Sequence, residues 1–150
     1  MNRYLEDMQV GERQWSASPI VLTEAECLAF SHAYDPQPMH TDPDASAKSR
    51  FGGIIASGWH TAAIAMRLLA DMRIMGGTEA LGMGLESLRW HLPVRPGDAL
   101  SIEVEVVSVK PSDSNPRFGV VKFLITTRNQ RGEAVMTHSP LCWVPKRPEN

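Results

Sequence analysis

Residues 34–40 read YDPQPMH and set an aspartate, Asp35, five positions before a histidine, His40, in a segment stiffened by Pro36 and Pro38. Proline fixes φ and gives up its N–H, so the stretch reads as neither regular helix nor central strand. A carboxylate within reach of an imidazole fixes the ring's tautomer and favours its protonated form. Together the two can hold and deprotonate one water, which is general acid and base chemistry near neutral pH. The competing reading makes Asp35 a turn residue and His40 a half-buried polar side chain.

The segment downstream favours chemistry. Ser57, Gly58 and Trp59 open the most helix-like stretch of the chain, SGWHTAAIAMRLLADMRIM, whose first N–H groups lack partners and lie at the positive end of a helix dipole. Such donors stabilise an enolate or oxyanion. A water-activating pair beside an oxyanion donor suits addition of water to a polarised double bond. The other candidates weigh less. His60 lies inside the long helix and reads as a packing residue, His32 and His91 have no visible partner, and His138 lies in a strand. Cys27 and Cys142 show no metal-ligand spacing. Ser57 lacks the G-x-S-x-G elbow of a nucleophile, and Gly52 and Gly53 form no nucleotide-binding fingerprint.

These groups need elements to position them. Thr23, with Glu24 and Glu26 after it, predicts a helix over about 23–33 that delivers YDPQPMH at its end. Asp42 before Pro43 predicts a short second helix in DPDASAKSR. The long helix, over 57–75, is apolar on most faces and calls for wrapping. After a glycine-rich linker over 76–84, the runs LESLRWHLPV, ALSIEVEVVSVK, GVVKFLITTRNQ and EAVMTHSPLCWVP are β-like and separated by turn sequences. They predict four strands in antiparallel meander order, with a fifth short strand near 15–22. The expected class is α+β, with the long helix against a curled sheet, and the polar tail KRPEN adds nothing to it.

Composition sets limits. A chain of 150 residues with 43% hydrophobic content predicts one domain. Fifteen Lys and Arg against seventeen Asp and Glu, with no like-charge run, give no footprint for nucleic acid or an anionic membrane. Two cysteines in unlike contexts read as reduced thiols of a cytoplasmic protein. Neither a signal peptide nor a span of ~20 apolar residues is evident.

The stretch YDPQPMHTDPDASAKSRFGGIIASGWHTAAIAMRLL resembles the hydratase motif of the MaoC-like dehydratases, relatives of the (R)-specific enoyl-CoA hydratases, and LRWHLPVRPGD is similar to the strand and turn that follow the family's central helix. The family pattern is Asp-x-Asn-Pro-x-His followed by a short helix and a Gly-containing helix start. The resemblance implies a hot-dog fold, a long helix wrapped by a curved antiparallel sheet of five or six strands, assembled as a homodimer or a dimer of dimers. It implies syn hydration of a trans-2-enoyl-CoA to a (R)-3-hydroxyacyl-CoA, or the reverse. Asp35 and His40 would activate the water and the Gly58 N–H would bind the thioester carbonyl. No metal or redox cofactor is expected, and coenzyme A enters only as part of the substrate. Gln37 stands where the pattern has Asn, Trp59 where a smaller aliphatic residue is common, and Met66 where some family hydratases carry a small polar residue near the acyl pocket. With Ser57, these are the expected substrate-binding residues. Lys48, Arg50 and Arg89 are candidates for the coenzyme A phosphates.

Two other readings of the same residues stand beside hydration. A hot-dog acyl-CoA thioesterase would use an acid on the central helix, where Asp71, roughly four turns from the helix start, is the only one. A non-catalytic acyl-CoA-binding module would keep the Asp35–His40 pair as structure.

Overall fold

In strand β4 (Ala99–Pro111) Leu100, Ile102, Val104 and Val106 alternate with Ser101, Glu103 and Glu105, and the first set is buried. β5 (Phe118–Arg128) alternates in the same way, and β6 (Ala134–Pro145) completes an antiparallel meander with β4 and β5. The computed structural model describes residues 1–149. Six strands form one sheet of order β1-β4-β5-β6-β3, with β1 at Arg13–Trp15, β3 at Leu81–Trp90, and β2 (Ile20–Val21) also paired to β4. The single strand expected near 15–22 is thus two short ones, parted where the Ser16 hydroxyl accepts from the Ile102 N–H.

The four-strand meander is corrected. β3 pairs with β6, not with β4, and already begins at Leu81 inside the expected linker. RPGD is therefore not a hairpin turn. The 91–98 segment runs past the sheet end: the His91 N–H donates to Val135 O, the Ala56 N–H to Val94 O and the Gly97 N–H to Leu22 O. Gly97 takes φ 92°, which a side chain would oppose. The two later turns join neighbouring strands as expected.

Helix α1 (Glu24–Tyr34) starts under its Thr23 cap, whose hydroxyl accepts from the Glu26 N–H. The prolines of YDPQPMH do not exclude helix altogether: Pro38–Thr41 forms a single turn, α2, with Pro38 at the first position, where its missing N–H costs no bond. α3 (Pro43–Lys48) is capped by Asp42, which accepts from Asp44 and Ala45. α4 runs Gly58–Met72 and stops short of the expected end because Arg73 turns left-handed at φ 49°. Its burial is one-sided. His60, Thr61, Ile64, Ala65 and Leu68 face the core, while Trp59 and Met66 are each 58% exposed on the other side. The helix lies on one face of the sheet, and its apolar outer face borders open cavities.

The ends of the chain are joined. The Arg147 guanidinium makes two bonds to Asp7 and lies over the Tyr4 ring, so the tail contributes a contact that its polarity did not announce.

One side chain ties the approach to α4 to the turn before β4. Arg95 donates from Nη2 to Phe51 O at 2.5 Å, while its own N–H is held by Asp98 at 2.9 Å. Arg95→Met keeps the aliphatic stem and removes the charged donor. It should lower stability by about 1.5–3 kcal/mol, read as a lower urea midpoint with an unchanged slope.

Candidate active site

α1 ends at Asp35, whose N–H donates to Ser31 O at 2.9 Å and whose backbone leaves the helical region. The Gln37 N–H then bonds Asp35 O at 2.8 Å and the His40 N–H bonds Gln37 O at 2.9 Å, so the segment folds back on itself. That brings His40, 6% exposed, beneath the carboxylate. His40 Nδ1 lies 2.7 Å from Ile55 O. A carbonyl only accepts, so Nδ1 carries the hydrogen, and in the neutral ring Nε2 presents its lone pair. Nε2 is 3.4 Å from Asp35 Oδ2.

The carboxylate has two further donors. Gln37 Nε2 reaches Oδ1 at 2.6 Å and Ser57 Oγ reaches Oδ2 at 2.7 Å. They hold the Asp35 carboxyl below its ordinary range, Gln37 most and Ser57 next, with the His40 charge a smaller contribution and partial burial opposing all three. Asp35 is therefore ionised at neutral pH.

Ser57 occupies the N-cap of α4 without capping it, because its hydroxyl is committed to Asp35. The His60 and Thr61 N–H groups reach Ser57 O at 3.0 and 3.1 Å. Those of Gly58 and Trp59, at the first two helical positions, have no acceptor within the helix. Gly58 is small for a steric reason: a Cβ there would sit 2.6 Å from Trp90 Cε2. The Trp90 indole N–H donates to Gly58 O at 2.9 Å, and its ring meets Trp59 edge-on at 5.1 Å between centroids.

A cavity of about 360 Å³ opens between these groups, walled by Asp35, His40, Ile55, Gly58, Trp59 and Trp90. A second, of about 480 Å³, lies beyond Trp59, which borders both, and Met66 lines only this second one. Of the residues expected from sequence, Asp35, His40, Gly58 and Trp59 converge. Ser57 is fully buried and Gln37 exposed, and each grips Asp35 rather than facing the cavity. Asp71 is turned away at the far end of α4, paired with Arg67. Lys48, Arg50 and Arg89 are exposed. Sequence reasoning missed Trp90 and the Ile55 carbonyl, and it set aside as partnerless His91, which lines the cavity and bonds Thr137 Oγ1 at 2.7 Å. No local pattern marked them, because β3 reaches the helix start only through its pairing with β6. His60 packs as expected, stacked on Phe30 at 4.6 Å.

The arrangement offers an ionised carboxylate, an imidazole lone pair and free N–H donors around one space. The profile of the MaoC like domain family matches residues 7–129. The chain belongs to this family of MaoC-like hydratases and dehydratases. It is 30% identical over 127 residues to YdeM of Bacillus subtilis, covering 85% of this chain and 88% of that one. It is 28% identical over 151 residues to the 3-hydroxybutyryl-CoA dehydratase of Methylorubrum extorquens, covering 97% and 87%. Among solved structures, a MaoC-like dehydratase from Rhodospirillum rubrum superposes with a TM-score of 0.90 at 42% identity, over 99% of this chain and 100% of that one. The fold is the hot-dog fold, with six strands at the upper end of the expected five or six.

In this MaoC-like chain Gln37, standing where the family pattern has Asn, reaches the carboxylate directly. Gln37→Leu removes the strongest donor to Asp35, so its carboxyl should titrate at higher pH than in the parent. A group held low is stabilised while ionised, and that stabilisation is lost as pH falls from its unfolded-state value through its folded-state value; in the variant there is less of it to lose and the loss is complete at higher pH. A carbon-13 NMR titration of the Asp35 carboxyl reads this, and an unmoved midpoint contradicts the role given to Gln37.

Proposed function

We propose that this protein adds water reversibly to a trans-2-enoyl-CoA, giving a (R)-3-hydroxyacyl-CoA. The supporting observation is the 3.4 Å approach of Asp35 Oδ2 to His40 Nε2, beside a helix start whose Gly58 N–H is free. In this reading the thioester carbonyl accepts from the Gly58 N–H, which draws electron density from C3 and holds the enolate oxygen as charge develops. One water donates to both Asp35 and the His40 lone pair. Its oxygen bonds C3, its proton passes to the pair, and a proton from the pair goes to C2 on the same face. The balance is one water added to one double bond.

Ser57 and Gln37 fix the carboxylate, while Ile55 O fixes the ring. Little rearrangement then separates the resting geometry from the reacting one. Coenzyme A is the carrier of the acyl group and no further cofactor takes part, with Lys48, Arg50 and Arg89 available for its phosphates. We place the protein in the cytoplasm, where Cys27 and Cys142, both free, stay reduced. Asp35→Asn and His40→Gln should each lower kcat for a crotonyl-CoA-like substrate by roughly 10²–10⁴-fold with unchanged circular dichroism. Full turnover in either variant removes the mechanism.

The same reading includes a homodimer. β3 is the outer strand of the sheet, and Leu81, Met83 and Leu85 are exposed along it. A free edge with apolar side chains is a template for another strand. A second copy pairing there satisfies the edge and covers Leu81 and Met83, while Leu85 borders the second cavity. Sedimentation equilibrium should give twice the chain mass, and Met83→Lys should shift it toward the monomer; a monomeric parent would end this assignment.

A further inference from the structure

We propose that the second cavity receives an acyl chain carrying a neutral oxygen group, a hydroxyl or a ketone, and that His138 recognises that group. The inference rests on the hydratase reading for the path of the chain: with the thioester at Gly58 and C3 at Asp35 and His40, the rest of the acyl group leads past Trp59, which borders both cavities.

Beyond Trp59 the wall is mostly apolar; besides His138 its polar side chains are Arg73 at the rim and Thr78, whose Oγ1 is enclosed without a partner. Ala62, Met66 and Leu69 come from one face of α4, and Leu85, Leu88 and Phe123 from the sheet. β6 contributes His138, Pro140 and Cys142, three residues at alternate positions and so on one face of the strand. His138 is the exception among them. It is 9% exposed, Nδ1 is enclosed without a partner, and among the described residues neither ring nitrogen makes a hydrogen bond.

The other two buried imidazoles differ. His40 is bonded to Ile55 O; His60 shares the enclosed, unpartnered Nδ1, but its ring is stacked on Phe30 and lines neither of the two cavities. In His138 Nδ1 is sealed from the cavity, so a group in the cavity meets Nε2, which is not enclosed, and a ring nitrogen opening onto an apolar wall is paired only when a ligand brings a polar group to it. A site built around such a group rejects a ligand lacking the complement far more strongly than it senses a missing methylene.

The neutral class follows from the surroundings. Neither Asp, Glu, Lys nor a second histidine lines this cavity, and the one cation on its rim, Arg73, belongs to the exposed end of α4. Burial also pushes the His138 ring below its ordinary range, so it is neutral at neutral pH. The one nitrogen within reach, Nε2, is a donor in one neutral tautomer and an acceptor in the other; a hydroxyl pairs with either and a ketone only with the first. A carboxylate would bring an uncompensated charge into the same wall.

The test compares pairs of 2-enoyl-CoA thioesters of equal chain length, with and without a terminal hydroxyl, and a third set ending in a carboxylate. At the chain length that reaches His138, kcat/KM should favour the hydroxylated member by about tenfold or more. His138→Phe should abolish or invert that ratio, and His138→Gln, which keeps a donor and an acceptor, should retain part of it. Calorimetric binding of the corresponding saturated acyl-CoA pairs, with nitrogen-15 shifts of the His138 ring in the unaltered protein, gives the same comparison without turnover or substitution. Equal binding of hydroxylated and plain chains, a ratio indifferent to His138, or a preference for the carboxylate would each overturn the proposal. Selective binding of the hydroxylated chain with no hydration of any enoyl thioester, crotonyl-CoA included, would instead overturn the hydratase reading and leave the His138 site standing.

Discussion

Asp35 Oδ2 accepts from Ser57 Oγ at 2.7 Å, joining the C-cap of α1 to the N-cap of α4 across 22 residues of sequence. Among the described residues no other side-chain hydrogen bond joins these two helix ends. Everything else at the site is arranged around it. The two short helices between them, α2 and α3, bring His40 under the same carboxylate, and Ser46, almost fully buried, secures them by donating to Asp42 O at 2.7 Å. The Ile55 N–H returns to Met39 O at 3.2 Å, so the strand-like lead into α4 is attached to α2 as well. The carboxylate is therefore a structural junction, and its geometry is determined by the two helix ends it connects.

That junction has a cost that becomes useful. A serine at an N-cap ordinarily accepts from the second or third helical N–H, and losing such a cap costs about 1 kcal/mol. Ser57 donates to Asp35 instead. A bond to a charged acceptor offsets the missing cap, and the first-turn N–H groups are left open at the positive end of the dipole. The donor that stabilises Asp35 and the donors available to an oxyanion are thus two results of one hydroxyl orientation. Ser57 is fully buried, and among the described residues Asp35 is the only side-chain acceptor its hydroxyl reaches.

What could be seen in the sequence was what local chemistry dictates. Thr23 and Asp42 are caps whose roles follow from residue type and from the residues after them, and the buried alternation of β4 is plain in SIEVEVVSV. Asp35, His40 and Gly58 were legible because the prolines, the histidine and the helix start lie within one continuous stretch. The errors lie where tertiary contacts decide. β3 looks like the partner of the next strand, and only its side chains' place beside β6 makes it otherwise. Ser57 was expected to face substrate because its type and position allow it; its actual partner lies on another helix. The arrest of α4 at Arg73 has no glycine or proline at that position to announce it. Trp90 reads as an ordinary strand aromatic until the sheet order is known.

Trp90 also shows how far the site depends on the sheet. The register pairs Trp90 with Met136 and Arg89 with Thr137, which sends the Trp90 ring toward the start of α4. In a strand, a slip of one residue exchanges the two faces. Such a slip would withdraw the indole, remove its bond to Gly58 O and take away the edge against which Trp59 rests. Gly58 would then lose its closest steric constraint, since the three nearest atoms a Cβ there would meet, at 2.6–3.0 Å, all belong to this ring. The same ring borders the first cavity, and Trp59, held against it, separates that cavity from the second. The opening of the helix start, the smallness of Gly58 and the division between the two cavities are therefore consequences of β3–β6 pairing. A residue that decides the shape of the site can lie outside every motif that identifies it.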